Sequence, residues 1–405
     1  MKTVAIIAEY NPFHTGHQYH IEKIRSEFGI DTKIIAVMSG NYTQRGDIAF
    51  ADKSLRAECA VRCGVDLVLE LPFPYSVSSA ELFSNAAVHI INSLGVVDVL
   101  SFGSESGNIN ELRQIAENML SDKYQTALSR AMKSDKSVNK GYPLLCSEIY
   151  QKLFSEDISS FSSPNNILAI EYIKSIIRFK SGIVPHTILR FGADYNDDSI
   201  VKNTHQSATA IRTLMQNDFN SAIEYLPDNS KTTLIKAHRQ KMMPCDAEKL
   251  SAAVISNLRL NPTAINIHDM AGGLYNRLQN ASFEAFSISN LIELTDTKKF
   301  TTARIRRAVW YSFFGVTSSE LLELPAYTQA LAMNSVGMAI LKNIKKVSSF
   351  KILTKPSVYS NLDELGKRQK ELSDKADSVF HLTKPSHVSG KTTLKTSPFI
   401  MNAIS

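Results

Sequence analysis

Short apolar runs alternate with amphipathic stretches through the N-terminal quarter of the chain. Residues 3–8 (Thr-Val-Ala-Ile-Ile-Ala) carry no charge and read as a buried strand. From Gln18 to Phe28 the apolar positions Ile21, Ile24 and Phe28 share one helical face. A second strand covers 32–38. A helix then runs from a cap at Asp52 to Cys63, with Gly64 suited to its end. A third strand covers 66–71 and stops at Pro72. Ser78 or Ser79 starts a helix to Leu94, closed by Gly95. A fourth strand, 97–102, ends in Gly103-Ser104-Glu105-Ser106-Gly107. Such alternation predicts an α/β fold with a parallel sheet and ligands at the carboxyl edge of its strands.

Farther along, the pattern changes. From Asn108 to about Lys180 the chain reads helical, broken at Ser162-Ser163-Pro164-Asn165-Asn166, where either asparagine can cap the helix holding Ile170 and Ile173. A strand from His186 to Phe191 carries Arg190, and Ser207-Ala208-Thr209-Ala210-Ile211-Arg212 opens another helix. Beyond about Asn217 the strand signals fade and residues 220–350 read mostly helical. The tail from Lys384 is rich in Ser, Thr and Lys and is expected to be loosely ordered. The expected organisation is a Rossmann-like domain over 1–220, with a helical insertion at about 108–180, and a mainly helical domain over 221–405.

Candidate chemistry concentrates between the first strand and the first helix. The stretch Glu9-Tyr10-Asn11-Pro12-Phe13-His14-Thr15-Gly16-His17 sits at a strand-to-helix turn, where a phosphate can meet a helix N-terminus. Pro12 stiffens the turn, and Gly16 leaves room for a nucleotide against the backbone. His14 and His17 flank that glycine. Gly-Lys-Ser/Thr is missing, so this is not a Walker loop. It is the His-x-Gly-His signature of the nucleotidyltransferase superfamily, which also holds the class I aminoacyl-tRNA synthetases. The bland alternative is a pair of histidines that cap and pack a turn. Adenylyl transfer needs positioning and charge stabilisation more than covalent help, and two imidazole donors suit it. Mg²⁺ bound mostly by phosphates would assist, so no dedicated metal cage is expected.

Ser207 to Arg212 has the form of the superfamily's second signature. Its hydroxyls and helix amides can bind the β- and γ-phosphates, and Arg212 can pair with them; a capped helix with a solvated arginine is the alternative. Gly103 at a strand end either admits the nucleotide or is a plain turn glycine. Asn165 contacts a base or ribose, or caps. Arg190 is a ligand or a surface charge. Gln44 and Arg45 follow the second strand, near the nucleotide edge or in a solvated loop. The run Lys298-Lys299-Phe300-Thr301-Thr302-Ala303-Arg304-Ile305-Arg306-Arg307 holds no acid and can bind RNA phosphates or form a solvated helix face.

Composition adds bounds. A net charge of +6 permits a nucleic-acid partner without proving one. Cys59, Cys63, Cys146 and Cys245 form no CxxC pair and no disulfide framework, so they read as core. The N-terminal apolar run is too short for a signal peptide, and no run approaches membrane-spanning length. A cytoplasmic protein without membrane contact is expected.

Taken together, residues 8–17, Met38-Ser39-Gly40-Asn41-Tyr42-Thr43-Gln44-Arg45-Gly46, Pro164-Asn165-Asn166-Ile167-Leu168, 207–212 and 299–307 resemble the bacterial tRNA(Met) cytidine acetate ligase family over most of the chain. The resemblance implies an enzyme that activates acetate with ATP as acetyl-adenylate. It then acetylates the exocyclic amine of the wobble cytidine in elongator tRNA(Met). It implies an ATP site on Ile7, Ala8, Glu9, Tyr10, Asn11, Pro12, Phe13, His14, Thr15, Gly16, His17, Gln18, Tyr19 and His20, joined by Gly103, Asn165 and Arg190, with Asn166 the alternative to Asn165. His14, His17, Ser207 and Arg212 are the expected catalytic residues, and Lys298, Lys299, Arg304, Arg306 and Arg307 the expected RNA contacts of a tRNA-binding second half. A small-molecule adenylyltransferase of cofactor synthesis is the alternative enzyme, and a non-catalytic RNA-binding module the alternative class.

Overall fold

A computed structural model describes residues 1–133, 142–155, 163–190, 207–261, 266–390 and 397–402. In chain order the elements are β1 (Thr3–Ala8), α1 (Thr15–Phe28), β2 (Lys33–Ser39), α2 (Lys53–Arg62), β3 (Leu67–Leu71), α3 (Ala80–Ser93), β4 (Val99–Ser104), α4 (Ile109–Leu120), α5 (Asp122–Met132), α6 (Tyr142–Phe154), α7 (Pro164–Arg178), β5 (Val184–Leu189) and α8 (Ala208–Asn217). Then come α9 (Phe219–Ile223), α10 (Asp228–Arg239), α11 (Ser251–Leu260), α12 (Leu274–Glu284), α13 (Ile288–Thr295), α14 (Thr302–Phe314), α15 (Ser318–Leu322), β6 (Tyr327–Met333), α16 (Ser335–Val347), β7 (Lys351–Leu353), α17 (Glu364–Phe380) and β8 (Phe399–Ile400).

The strands are mostly apolar, and β1 carries no charge at all, because helices cover both faces of the sheet they build. Side chains alternate between the faces. On β2, Ile34, Ala36 and Met38 enter one core with Ile21 and Ile24 of α1, while Ile35 and Val37 enter the other with Leu69 and Leu100. Sheet order is β5-β4-β1-β2-β3-β6-β7, with β8 beside β6. The five N-terminal strands are parallel, as expected. Neighbouring β1 and β4 therefore bring the turn after Ala8 and the turn after Ser104 to the same carboxyl edge.

Three local expectations change. First, the sheet is mixed and does not end with the N-terminal half: β6 lies antiparallel to β3, pairing Leu67 with Met333. A strand sealed on both faces has no period-two pattern to betray it, and Tyr-Thr-Gln-Ala-Leu-Ala-Met also suits a helix. Second, neither Asn165 nor Asn166 caps α7. Ser163 holds the cap position and Pro164 the first turn, where a missing N–H costs nothing. Third, the segment 397–402 is tied down by β8 against β6. Phe191 and parts of the Ser/Thr/Lys tail (391–396 and 403–405) lie outside the described residues.

Candidate active site

The turn between β1 and α1 is held from inside. Tyr10 takes a left-handed φ of 46° and drops its ring into the core at 1% exposure, with Phe13 also at 1%. The two rings lie 4.8 Å apart, and Tyr10 meets His17 edge-on at 4.9 Å. What Tyr10 and Phe13 can offer a ligand is thus backbone, not side chain. Asn11 is buried too; its Oδ1 accepts the Phe50 amide at 2.8 Å.

His14 and His17 do cap the helix, and the manner of capping suits them to phosphate as well. His14 is the N-cap, and its Nδ1 accepts from Gly16 N at 3.1 Å. His17 Nδ1 accepts from His14 N at 3.2 Å, and the rings lie 3.8 Å apart. An Nδ1 that accepts leaves the hydrogen of a neutral imidazole on Nε2. Both rings therefore carry an Nε2–H donor at a helix N-terminus, itself electropositive. Burial holds His17 well below the usual histidine range, helped by the nearby His14, Arg190 and His20, so it stays neutral at physiological pH.

The second signature comes to the same turn. Ser207 is the N-cap of α8, with Oγ accepting Ala210 N at 3.0 Å. Arg212 donates to the carbonyl of Asn11 at 2.9 Å and to Thr209 Oγ1 at 3.1 Å. On the other flank, Gly103, Asn165 and Arg190 cluster. Arg190 Nη1 lies 3.4 Å from Asn165 Oδ1, and a Cβ on Gly103 would come within 3.0 Å of Arg190 Cγ. Glu105 organises them, taking Asn165 Nδ2 at 2.6 Å and the Asn166 amide at 2.9 Å. Asn166 Oδ1 is spent on the amides of Glu105 and Ser106, and its residue is 3% exposed. Between the two asparagines, Asn165 is the one beside Arg190.

Some residues at this edge gave no sequence signal. Arg56, 1% exposed, donates to the carbonyls of Ala51 at 2.9 Å, Glu9 at 2.5 Å, Ser39 at 3.1 Å and Gly40. It ties the ends of β1 and β2 to α2. Lys53 makes buried ion pairs with Glu70 at 2.6 Å and Asp377 at 2.5 Å, and Asp377 also accepts Asn41 Nδ2 at 2.8 Å. Asp52 caps α2 as expected and also meets Lys384 at 2.8 Å and His381 at 3.2 Å. Burial opposes its charge, but His381 and Lys384 hold its carboxyl well below the usual range. Single charges on a helix look like a solvated face; only their distant partners reveal them.

Gln44 is no solvated loop residue. Its amide donates to Glu9 Oε1 at 2.9 Å and its side chain to Ser78 O at 3.0 Å. Burial raises the Glu9 carboxyl, against the pull of the Gln44 amide and Arg212. The basic run reaches the same loop. Arg306 pairs with Asp47 at 2.8 Å, Arg307 donates to Gln44 O at 3.4 Å, and Trp310 Nε1 donates to Gly46 O at 2.7 Å. Arg304 pairs with Asp269 at 2.9 Å and Lys299 donates to Gly272 O at 2.9 Å, while Lys298 is exposed. A cleft of about 350 Å³, lined by Phe50, Thr209, Arg212, Arg306 and Trp310 among others, joins the second signature to this helix. A larger cleft of about 590 Å³ between α2 and α10 holds none of the candidate residues. Among the described residues no group of three His, Cys, Asp or Glu side chains could hold a metal ion, and no helix is long and apolar enough to cross a membrane.

Comparison with known proteins agrees with this geometry. Residues 1–394 match the HIGH Nucleotidyl Transferase family. The tRNA(Met) cytidine acetate ligase of a Thermoanaerobacter species is 37% identical over 364 residues, covering 89% of this chain and 90% of that protein. Its counterpart from Acetivibrio thermocellus is 34% identical over 398 residues, 94% of each. The apo crystal structure of Thermotoga maritima TmcAL superimposes with a TM-score of 0.92 at 31% identity, and the form bound with alpha-thio ATP with 0.90 at 30%, each covering both chains fully. An α/β sheet whose carboxyl edge gathers both nucleotide signatures, and likeness of this extent to proteins of one reaction, lead to one conclusion: the chain belongs to the HIGH nucleotidyl transferase family and, within it, to the tRNA(Met) cytidine acetate ligases.

Proposed function

We propose that the chain joins acetate to ATP as acetyl-adenylate and passes the acetyl group to the exocyclic amine of the wobble cytidine in elongator tRNA(Met). The observation that carries this reading is the meeting of the two signatures, with Arg212 bonded to Asn11 O inside the turn that holds His14 and His17. Support also comes from the name shared by the relatives and from the ATP analogue on the T. maritima protein.

In the first step an acetate oxygen attacks the α-phosphorus and pyrophosphate leaves. Negative charge builds on the phosphoryl oxygens, where the Nε2–H groups of His14 and His17 and the amides of the α1 N-terminus can meet it. Arg212, with its planar fork, and Ser207 serve the β- and γ-phosphates. The backbone of 7–13, with Thr15, Gly16, Gln18, Tyr19 and His20, bounds the nucleotide on one side, and Gly103, Asn165 and Arg190 bound it on the other. An Mg²⁺ ion would be held chiefly by the triphosphate and would neutralise part of its charge. In the second step the cytidine amine attacks the acetyl carbonyl and AMP leaves. The charge of Lys298, Lys299, Arg304, Arg306 and Arg307 suits tRNA phosphates, and on that ground we assign tRNA binding to 221–405 and catalysis to 1–220. The setting is cytoplasmic, where tRNA is modified.

Two assays test the reading. Pyrophosphate exchange into ATP is expected only with acetate and without tRNA, and bulk tRNA is expected to gain acetyl groups on cytidine. Exchange supported by a nucleotide or phosphopantetheine acceptor in place of acetate would move the protein to the cofactor-making adenylyltransferases. No exchange at all would leave an RNA-binding module.

A further inference from the structure

His14 and His17 face the nucleotide site with donors; His20 is wired the other way round. It lies one turn beyond His17 on α1, and its Nε2 is 2.8 Å from Ser101 Oγ on β4. Ser101 is fully buried. The same hydroxyl is 3.1 Å from His186 Nδ1 on β5. His186 Nε2 in turn is 2.7 Å from Glu27 Oε2 near the end of α1, a carboxylate 47% exposed to solvent. A carboxylate only accepts, so His186 Nε2 carries a hydrogen, and in the tautomer with that single ring hydrogen Nδ1 accepts. Ser101 has one hydrogen and spends it on His186. Its remaining lone pair can only accept, and the donor is His20 Nε2–H. His20 Nδ1 is thereby left as a bare lone pair. Among the described residues no hydrogen bond to it is seen, and the His20 residue is only partly buried. Burial, with His186 and Arg190 close by, pushes His20 down to about 3, so the ring is neutral at physiological pH.

We propose that Ser101, His186 and Glu27 are positioning residues that lock His20 as a hydrogen-bond acceptor for the nucleoside half of ATP. A lone pair repels phosphate oxygens, so the group it takes must carry a hydrogen: a ribose hydroxyl or the adenine amine. The relay thus divides one helix turn by polarity, with donors at His14 and His17 for the triphosphate and an acceptor at His20 for the nucleoside. None of the three relay residues belongs to either nucleotide signature, and Glu27 acts on the site from the protein surface.

This inference rests on the ATP site proposed above, and titration calorimetry of ATP on the full chain separates the two. Wild-type protein that does not bind ATP refutes the site itself. Given binding, Ser101→Ala and Glu27→Ala are each expected to weaken it roughly three- to tenfold, the size of one net hydrogen bond. His20→Ala should do the same, and His20→Asn, whose side-chain carbonyl can stand near the Nδ1 position, should recover part of the loss. In ¹⁵N-histidine spectra His20 Nδ1 should be non-protonated in the wild type and mixed in Ser101→Ala. Deoxy-ATPs test the hydroxyls and purine riboside triphosphate tests the amine. The analogue lacking the relevant hydrogen should bind wild type more weakly by the factor that His20→Ala loses, yet lose nothing further on His20→Ala. Unchanged ATP affinity and unchanged His20 resonances in Ser101→Ala and Glu27→Ala overturn the relay. Analogue losses that are equal on wild type and His20→Ala overturn the assigned ligand group.

Discussion

Replacing Lys53 by methionine probes the joint between the nucleotide edge and the C-terminal helix. The ammonium lies 2.6 Å from Glu70 and 2.5 Å from Asp377, and the three side chains are 9%, 3% and 5% exposed. Methionine keeps most of the volume and removes the charge, leaving two carboxylates close together in the core. Breaking a buried pair from one side costs about 3–5 kcal/mol, or roughly two to three and a half decades in the folded-to-unfolded ratio. The loss should depend on pH with a definite sign. Burial, then Asp377, raises Glu70 above its ordinary 4.5 even against Lys53, and removing the lysine raises it further. A group whose folded pKa lies above its unfolded value stabilises fully below the unfolded value and loses that contribution as pH rises through the folded one. The deficit of Lys53→Met is therefore smallest below about pH 4.5 and grows toward neutrality. Lys53 itself is held well above the usual lysine range, chiefly by Asp377 and Glu70 against the cost of burial, so the wild-type cation persists throughout. Urea unfolding followed by circular dichroism at acid and neutral pH reads both effects. Adding Glu70→Gln should return part of the stability at neutral pH. Wild-type stability in Lys53→Met, or a deficit flat across that range, would refute the argument.

Other outcomes follow from the same geometry. His17→Ala should lower acetate-dependent exchange by about 10²–10³ while the far-ultraviolet spectrum is kept; near-normal exchange in a folded double alanine variant at His14 and His17 would reduce both to helix caps. Arg212→Ala should raise the KM for ATP, with lysine a partial substitute because it lacks the fork; unchanged kinetics would confine Arg212 to its bond with Asn11. Neutralising Lys298 and Arg304 should weaken tRNA acetylation and flatten its salt dependence by about one unit of slope per lost phosphate contact, with a smaller effect on exchange. Equal loss in both half-reactions would assign Arg304 to support of the turn at Asp269 and Ala271 instead.

The parts of this molecule legible from sequence are those whose cause is local. A charge-free strand, a turn with Pro12 and Gly16, and a helix with Ile21 and Ile24 on one face are all set within a few residues of one another. The turn at Ser207 is likewise local. Pro164 was a local signal too, and it marks Ser163 rather than an asparagine as the cap, because proline favours the first helical position. Tertiary causes left no such trace. Nothing near Lys53 or Arg56 tells that each is buried, since their partners are an aspartate on the last long helix and carbonyls at the ends of other strands. The tautomers of His14 and His17 depend on which backbone amide reaches which nitrogen, and no residue pattern encodes that.

The antiparallel docking of β6 on β3 has a consequence for how the protein is made. Leu67 finds Met333 only after most of the chain has left the ribosome. At 5–20 residues per second that is a wait on the order of tens of seconds. During it, β3 presents an unpaired row of amides and carbonyls, and Glu70 and Lys53 lack Asp377. Open strand edges of this kind invite pairing between chains. The nucleotide-binding half is thus a dependent folding unit, finished from behind by residues synthesised last. A fragment ending at residue 220 is expected to aggregate on expression and to be rescued by co-expressing the remainder; a soluble, monomeric, ATP-binding fragment would show that the N-terminal half completes itself.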